Sequence, residues 1–130
     1  MTLVKGFHHI ALKASDFEKT CEFYKAIGLK ERVRWGEGDG RAVMMDMGDG
    51  CCIEIFAGGE NRERTDERFL HLAFRTDYVD ATYQAAIKAG AVSKVEPCEV
   101  APAGATPCIK MRIAFVFGPD GEILEFFDEH

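Results

Sequence analysis

This chain repeats itself, and the repeat dictates its architecture. Displaced by 62 positions, Phe7-His8-His9-Ile10-Ala11-Leu12 lies over Phe69-Leu70-His71-Leu72-Ala73-Phe74. Across the 22 ungapped positions from Phe7 to Gly28, five residues meet their own kind: Phe7/Phe69, His9/His71, Ala11/Ala73, Thr20/Thr82 and Gly28/Gly90. Lys13 over Arg75 and Glu18 over Asp80 keep their charge sign. Displaced by 71, residues 49–56 lie over 120–127, and four of eight positions are identical: Asp49/Asp120, Gly50/Gly121, Glu54/Glu125 and Phe56/Phe127. The change of offset gives the second copy nine more residues, expected within 96–107, a stretch rich in Pro, Ala and Gly. Two copies of one supersecondary unit of roughly sixty residues follow, because such units bury their apolar faces by association.

Each copy reads as βαβββ. Residues 7–13 form a short apolar run that ends at the helix-capping pair Ser15-Asp16. Phe17, Cys21, Tyr24 and Ile27 recur at helical spacing over 16–27, and Gly28 stands where a C-cap glycine belongs. Strands are expected at 29–35, 41–47 and 51–56, separated by the glycine-rich turns 36–40 and 48–50. The second copy predicts a strand at 69–75, a helix at 79–89 and strands at 91–100, 109–117 and 122–128, with a turn at Gly118-Pro119-Asp120-Gly121. The fold class is therefore α+β: a single domain over 1–130, with modules at about 1–58 and 68–130 joined by a solvated linker at 57–68.

Composition removes several function classes. The net charge of −6 argues against a nucleic-acid partner, which asks for a basic face. No apolar stretch approaches the ~20 residues that span a bilayer, and the start of the chain lacks a signal-peptide run. Five cysteines, an odd number with Cys51 and Cys52 adjacent and no Cys-x-x-Cys, do not make a disulfide framework. Reduced, mostly buried thiols and a cytoplasmic location are expected.

The candidate chemistry lies on the strands that the repeat aligns. Strand alternation puts His9, Ala11 and Lys13 on one face, and His71, Ala73 and Arg75 on the corresponding face of the second copy. His8 is expected to face away from His9. Glu54 and Glu125 each sit among apolar neighbours, where a lone ionised carboxylate is costly and wants a cation. Pseudo-twofold symmetry would bring the four side chains together. Two imidazoles and two carboxylates suit a divalent ion with nitrogen and oxygen donors: Ni, Co, Zn, Mn or Fe. His9, Glu54, His71 and Glu125 are therefore the candidate ligands, and either Glu is a candidate base. Lys13 and Arg75, four residues beyond each His, are candidates for an anionic substrate tail.

The segments His9-Ile10-Ala11-Leu12, with Asp16 and Phe23-Tyr24, Gly50 to Glu54, His71-Leu72-Ala73-Phe74 and Gly118 to Glu125 resemble the vicinal oxygen chelate superfamily over nearly the whole chain. That superfamily includes glyoxalase I, epimerases, fosfomycin-resistance thiol transferases, extradiol dioxygenases and bleomycin-binding proteins. The resemblance implies paired βαβββ modules that form a cup-shaped mixed sheet around one metal ion. It also implies a homodimer, with sites that can be shared between chains. The four residues fall on the ligand positions of glyoxalase I, a lactoylglutathione lyase that isomerises the hemithioacetal of a 2-oxoaldehyde and a thiol through an enediolate. Two positions depart from that pattern. Lys13 stands in place of an Arg and Gly58 in place of an Asn, the residues that touch glutathione there. The alternatives are another metal-dependent enzyme of this fold (epimerase, thiol transferase or dioxygenase), or a non-catalytic small-molecule-binding or resistance protein.

Overall fold

A computed structural model of the protein describes residues 7–60, 70–105 and 107–130. Its contacts divide the chain into two units, Met1–Asn61 and Arg62–His130. The charged run at 60–68 and the first residue of the strand expected from 69 fall largely outside the described residues.

The first unit runs β1 (His9–Lys13), α1 (Phe17–Ala26), β2 (Lys30–Trp35), a 3-10 turn (Gly38–Gly40), β3 (Ala42–Asp46) and β4 (Cys52–Phe56). Its sheet has the order β1-β4-β3-β2. The last strand thus inserts beside the first: β1 and β4 are parallel, and the other pairings are antiparallel. The second unit repeats this with β5 (Leu72–Arg75), α2 (Val79–Lys88), β6 (Val92–Val100), β7 (Met111–Phe117) and β8 (Ile123–Glu129), in the order β5-β8-β7-β6 with β5 parallel to β8. The expected α+β class and doubled βαβββ order are both present. Strand bounds shift by one to three residues from the pattern: the first strand begins at His9, and β5 begins at Leu72, one residue after His71. Among the described residues, no helix is long and apolar enough to cross a bilayer.

Local chemistry accounts for the boundaries. The Asp16 side chain accepts from the Lys19 amide at 3.2 Å and caps α1. Gly28 and Gly90 follow the two helices at φ 110°, a left-handed conformation that costs glycine little. The second helix lacks a side-chain cap at Tyr78, but Thr76 Oγ1 accepts from the Tyr78 amide just before the helix begins. The extra length of the second copy divides among a longer β6, the connection 101–110 and a longer β7.

Each unit has its own core between helix and sheet. In the first, Phe17, Cys21 and Tyr24 of α1 cover Val43, Met45, Ile53 and Ile55; in the second, Val79, Tyr83 and Ala86 of α2 cover Ala114, Val116, Leu124 and Phe126. The opposite face of each sheet, the far face, carries the alternate residues, Glu54 and Glu125 included. All five cysteines are free: Cys21 and Cys52 are buried, Cys51 and Cys98 half-buried and Cys108 exposed, so fewer thiols are buried than the composition suggested.

Ile53→Ala and Leu124→Ala delete repeat-related, fully buried side chains from the middle strands β4 and β8. Each is expected to cost about 2–5 kcal/mol in urea denaturation, the usual range for buried aliphatic truncation. Asp16→Ala, which removes only the cap, is expected to cost about 1 kcal/mol.

Candidate functional site

The parallel pairings place the candidate ligands. In the first unit His9 pairs with Cys52 and Ala11 with Glu54. In the second, Ala73 pairs with Glu125. The two units therefore share one register: the alanine two residues after each His stands opposite the Glu. His and Glu become diagonal neighbours on the same face, within reach of each other.

The side chains meet accordingly. His9 Nε2 lies 3.6 Å from Glu54 Oε1, and His71 Nε2 lies 3.2 Å from Glu125 Oε1. Each imidazole is more than a third exposed, whereas the carboxylates keep only 16% and 10% of their accessible surface. Burial pushes the Glu125 carboxyl above the usual carboxylate range, and the His71 imidazole partly offsets this. Each pair thus holds a nitrogen and an oxygen donor face to face, one of them a costly half-desolvated anion. This donor set fits a divalent cation of borderline softness. Among the described residues, no group of three or more His, Cys, Asp or Glu side chains gathers as an ion-holding set. Within its own unit, each pair brings two donors together.

Alternation explains which candidates share these faces. His9, Ala11 and Lys13 are all exposed, while Ile10 and Leu12 are half-buried; His71, Ala73 and Arg75 repeat the pattern. Lys13 has no carboxylate partner among the described residues. Arg75 lines a cavity of about 320 Å³ with Ala73, Asp77, Phe127, Asp128 and Glu129, so three carboxylates share its surroundings. Gly58 must be glycine: its φ is 82°, and a Cβ there would stand 3.2 Å from the Asp39 carbonyl oxygen. The next residue, Gly59, donates its amide to the Ala14 carbonyl at 2.9 Å, which ties this stretch to the end of β1.

Two neighbours of the half-sites were not legible beforehand. His8 does not face away: its Nδ1 stands 2.9 Å from His9 Nδ1, with the rings edge to face. The strand begins only at His9, so alternation does not extend to His8. Phe115 packs edge-on against His71, with ring centroids 5.3 Å apart, and is the cross-strand partner of Glu125. The 71-residue offset would have found it, because it maps Met44, the partner of Glu54, onto Phe115.

The doubled βαβββ order carries a His–Glu pair in each copy. The profile of the Glyoxalase/Bleomycin resistance protein/Dioxygenase superfamily matches residues 6–126, and the chain belongs to that superfamily. It is 27% identical over 130 residues to the uncharacterized protein YwbC of Bacillus subtilis (strain 168), covering 96% of this chain and 98% of that one. Among solved structures, it resembles the glyoxalase family protein of Enterococcus faecalis, with a TM-score of 0.73 and 20% identity, covering 98% of this chain and 100% of that one. It also resembles the fosfomycin resistance protein FosX of Listeria monocytogenes, a structure complexed with Mn(II) and sulfate, with a TM-score of 0.72 and 22% identity over 96% of this chain and 93% of that one. At these identities the structural likenesses establish the fold.

The raised Glu125 carboxyl makes a testable statement about the metal-free protein. Its native pKa lies above the usual value of 4.5, so the native state holds its proton more tightly than the unfolded chain does. Stability is then lost as pH rises from about 4.5 through the native pKa. Glu125→Gln keeps the shape and removes this loss. In chelator-treated protein it is expected to gain about 1 kcal/mol at pH 7.5, a shift of the size single substitutions commonly give, and to gain nothing at pH 4. Thermal melts of both proteins across that range measure the difference.

Proposed function

We propose that this protein is a divalent-metal-dependent, glyoxalase-like lyase or isomerase acting on the hemithioacetal of a 2-oxoaldehyde and a thiol. The observation that carries this reading is the repeated half-site: in both copies, a His Nε2 and a Glu Oε1 face each other at 3.2–3.6 Å across a parallel strand pair. One ion would take His9, Glu54, His71 and Glu125. The two pairs would come from one chain or, in a homodimer, be exchanged between two. The Mn(II) in the FosX structure supports a divalent ion, with Ni, Co, Zn and Fe equally suited to these donors. Five free thiols fit a reducing, cytoplasmic setting.

When bound, the ion supplies Lewis acidity next to the C–H bond that must ionise. The chain's own residues do the rest. Glu125 is the base in this reading, because its desolvated carboxylate binds a proton more tightly than an ordinary one. It takes the proton from one carbon of the enediolate-forming pair and returns it to the other. Glu54, the more exposed of the two carboxylates, stays a ligand. His9 and His71 would hold the ion together with Glu54. Phe115, packed edge to face on His71, helps to fix the imidazole beside Glu125. Lys13 is the better seat for an anionic tail, since Arg75 shares its cavity with three carboxylates.

Metal titration followed by an activity panel of methylglyoxal with different thiols tests this. His9→Ala and His71→Ala are each expected to weaken metal binding by more than about 100-fold, as befits loss of one ligand in four. Glu125→Gln is expected to lower kcat by about 10²- to 10⁴-fold, the usual contribution of a general base, and Glu54→Gln by less. A protein that retains none of the five metals would overturn the reading. One that binds metal yet isomerises no thiol adduct belongs to another metal-dependent reaction of the superfamily. Mixing inactive His9→Ala and His71→Ala proteins separates the two assemblies: activity returns only if sites combine the His9–Glu54 pair of one chain with the His71–Glu125 pair of its partner.

A further inference from the structure

The first copy places a second imidazole beside its donor pair, and the second copy cannot. Residues 7–9 run along the start of β4, although β1 begins only at His9. The Cys52 amide donates to the His8 carbonyl at 3.0 Å, and the Cys51 thiol donates to the Phe7 carbonyl at 3.4 Å. These bonds hold the backbone ahead of β1 without the regular pleat that turns successive side chains apart. The two imidazoles meet as a result. Their Nδ1 atoms stand 2.9 Å apart, with ring centroids 5.1 Å apart and planes at 81°. At position 70, the counterpart of His8 at the 62-residue offset, the side chain is Leu and has no polar atom to offer His71.

Two neutral imidazole nitrogens at hydrogen-bond distance share one proton: one Nδ1 donates and the other accepts. That choice also fixes the far nitrogen of each ring. If His9 Nδ1 donates, His9 Nε2 is a bare lone pair; if it accepts, Nε2 carries the hydrogen. His9 Nε2 is the atom that faces Glu54 Oε1, and at 3.6 Å the two are too far apart for a hydrogen bond that would hold a proton on Nε2. The bond to His8 is therefore the contact that sets the His9 tautomer. An imidazole that ligates a metal through one nitrogen donates its other N–H to an acceptor, which fixes the ring and strengthens the ligand. His8 Nδ1 stands where that acceptor belongs.

We propose that His8 is a positioning residue for the first donor pair: it accepts from His9 Nδ1–H and so keeps His9 Nε2 a free lone pair for a divalent ion. The assignment rests on the reading of His9 as a metal ligand. Support of this kind selects a tautomer. In the second copy Phe115 packs edge to face on His71, with centroids 5.3 Å apart; an aromatic ring restrains the plane of the imidazole but has no acceptor atom to select its tautomer. The two pairs are thus held by different interactions, and the first depends on residue 8.

The test compares wild type with His8→Leu, which copies position 70, and with His8→Asn, whose carbonyl oxygen can replace Nδ1 as the acceptor. In Zn(II) titrations, His8→Leu is expected to weaken binding about 10- to 100-fold, the usual cost of losing an outer partner of a ligating His, and His8→Asn to recover most of that loss. Ring-nitrogen NMR gives a readout that a general loss of stability would not move. In metal-free wild type, at a pH where both rings are neutral, one of the two Nδ1 atoms is expected to be protonated and the other bare; with Zn(II) bound, the protonated one is that of His9. Equal Zn(II) affinity in wild type and His8→Leu overturns the proposal, as does an equal loss in His8→Leu and His8→Asn. If wild type takes up no Zn(II), the metal reading fails and takes this assignment with it. A wild type that binds Zn(II) but shows both Nδ1 signals averaged over the two tautomers overturns this assignment alone.

Discussion

Parallel pairing of the first and last strands of each unit is the constraint on which the rest of the site depends. A parallel pair cannot be joined by a tight turn and needs a long crossover; here a helix and two strands supply it. The same crossover buries one face of the sheet beneath the helix and leaves the far face for chemistry. Register then does the positioning. Ala11 stands opposite Glu54, and Ala73 opposite Glu125. The residue directly across is only an alanine, and the imidazole meets each carboxylate from the diagonal position. The strand pairing thus creates the donor pair.

Much of this was legible because it is written twice. The identities at His9/His71, Ala11/Ala73 and Glu54/Glu125 include every residue that sets the half-site register. Turn glycines and the Asp16 cap marked the boundaries to within three residues. What escaped depends on departures from regular pleating. Lys30-Glu31-Arg32-Val33-Arg34 reads as ordinary alternation, and nothing in it marks the slip after Glu31. His8 lies one residue before the strand, where the rule that would turn it away from His9 does not hold. Pro97 lies inside β6, within the strand expected at 91–100; it is tolerated because the pairing is irregular between Val95 and Cys98, so no ladder bond is demanded of it. A pattern with period two cannot reveal where the period is broken.

The two copies have kept their donors while their surroundings have diverged. Glu54 is flanked across the sheet by Met44, a flexible thioether chain, and Glu125 by Phe115, whose ring packs against His71. The aromatic neighbour accompanies a closer His–Glu approach, 3.2 against 3.6 Å, and a more deeply buried carboxylate. Desolvation raises the cost of the Glu125 charge, and that cost rises again wherever a cation leaves the pair. The two carboxylates are therefore not equivalent: the one with the poorer solvation gains more from protonation.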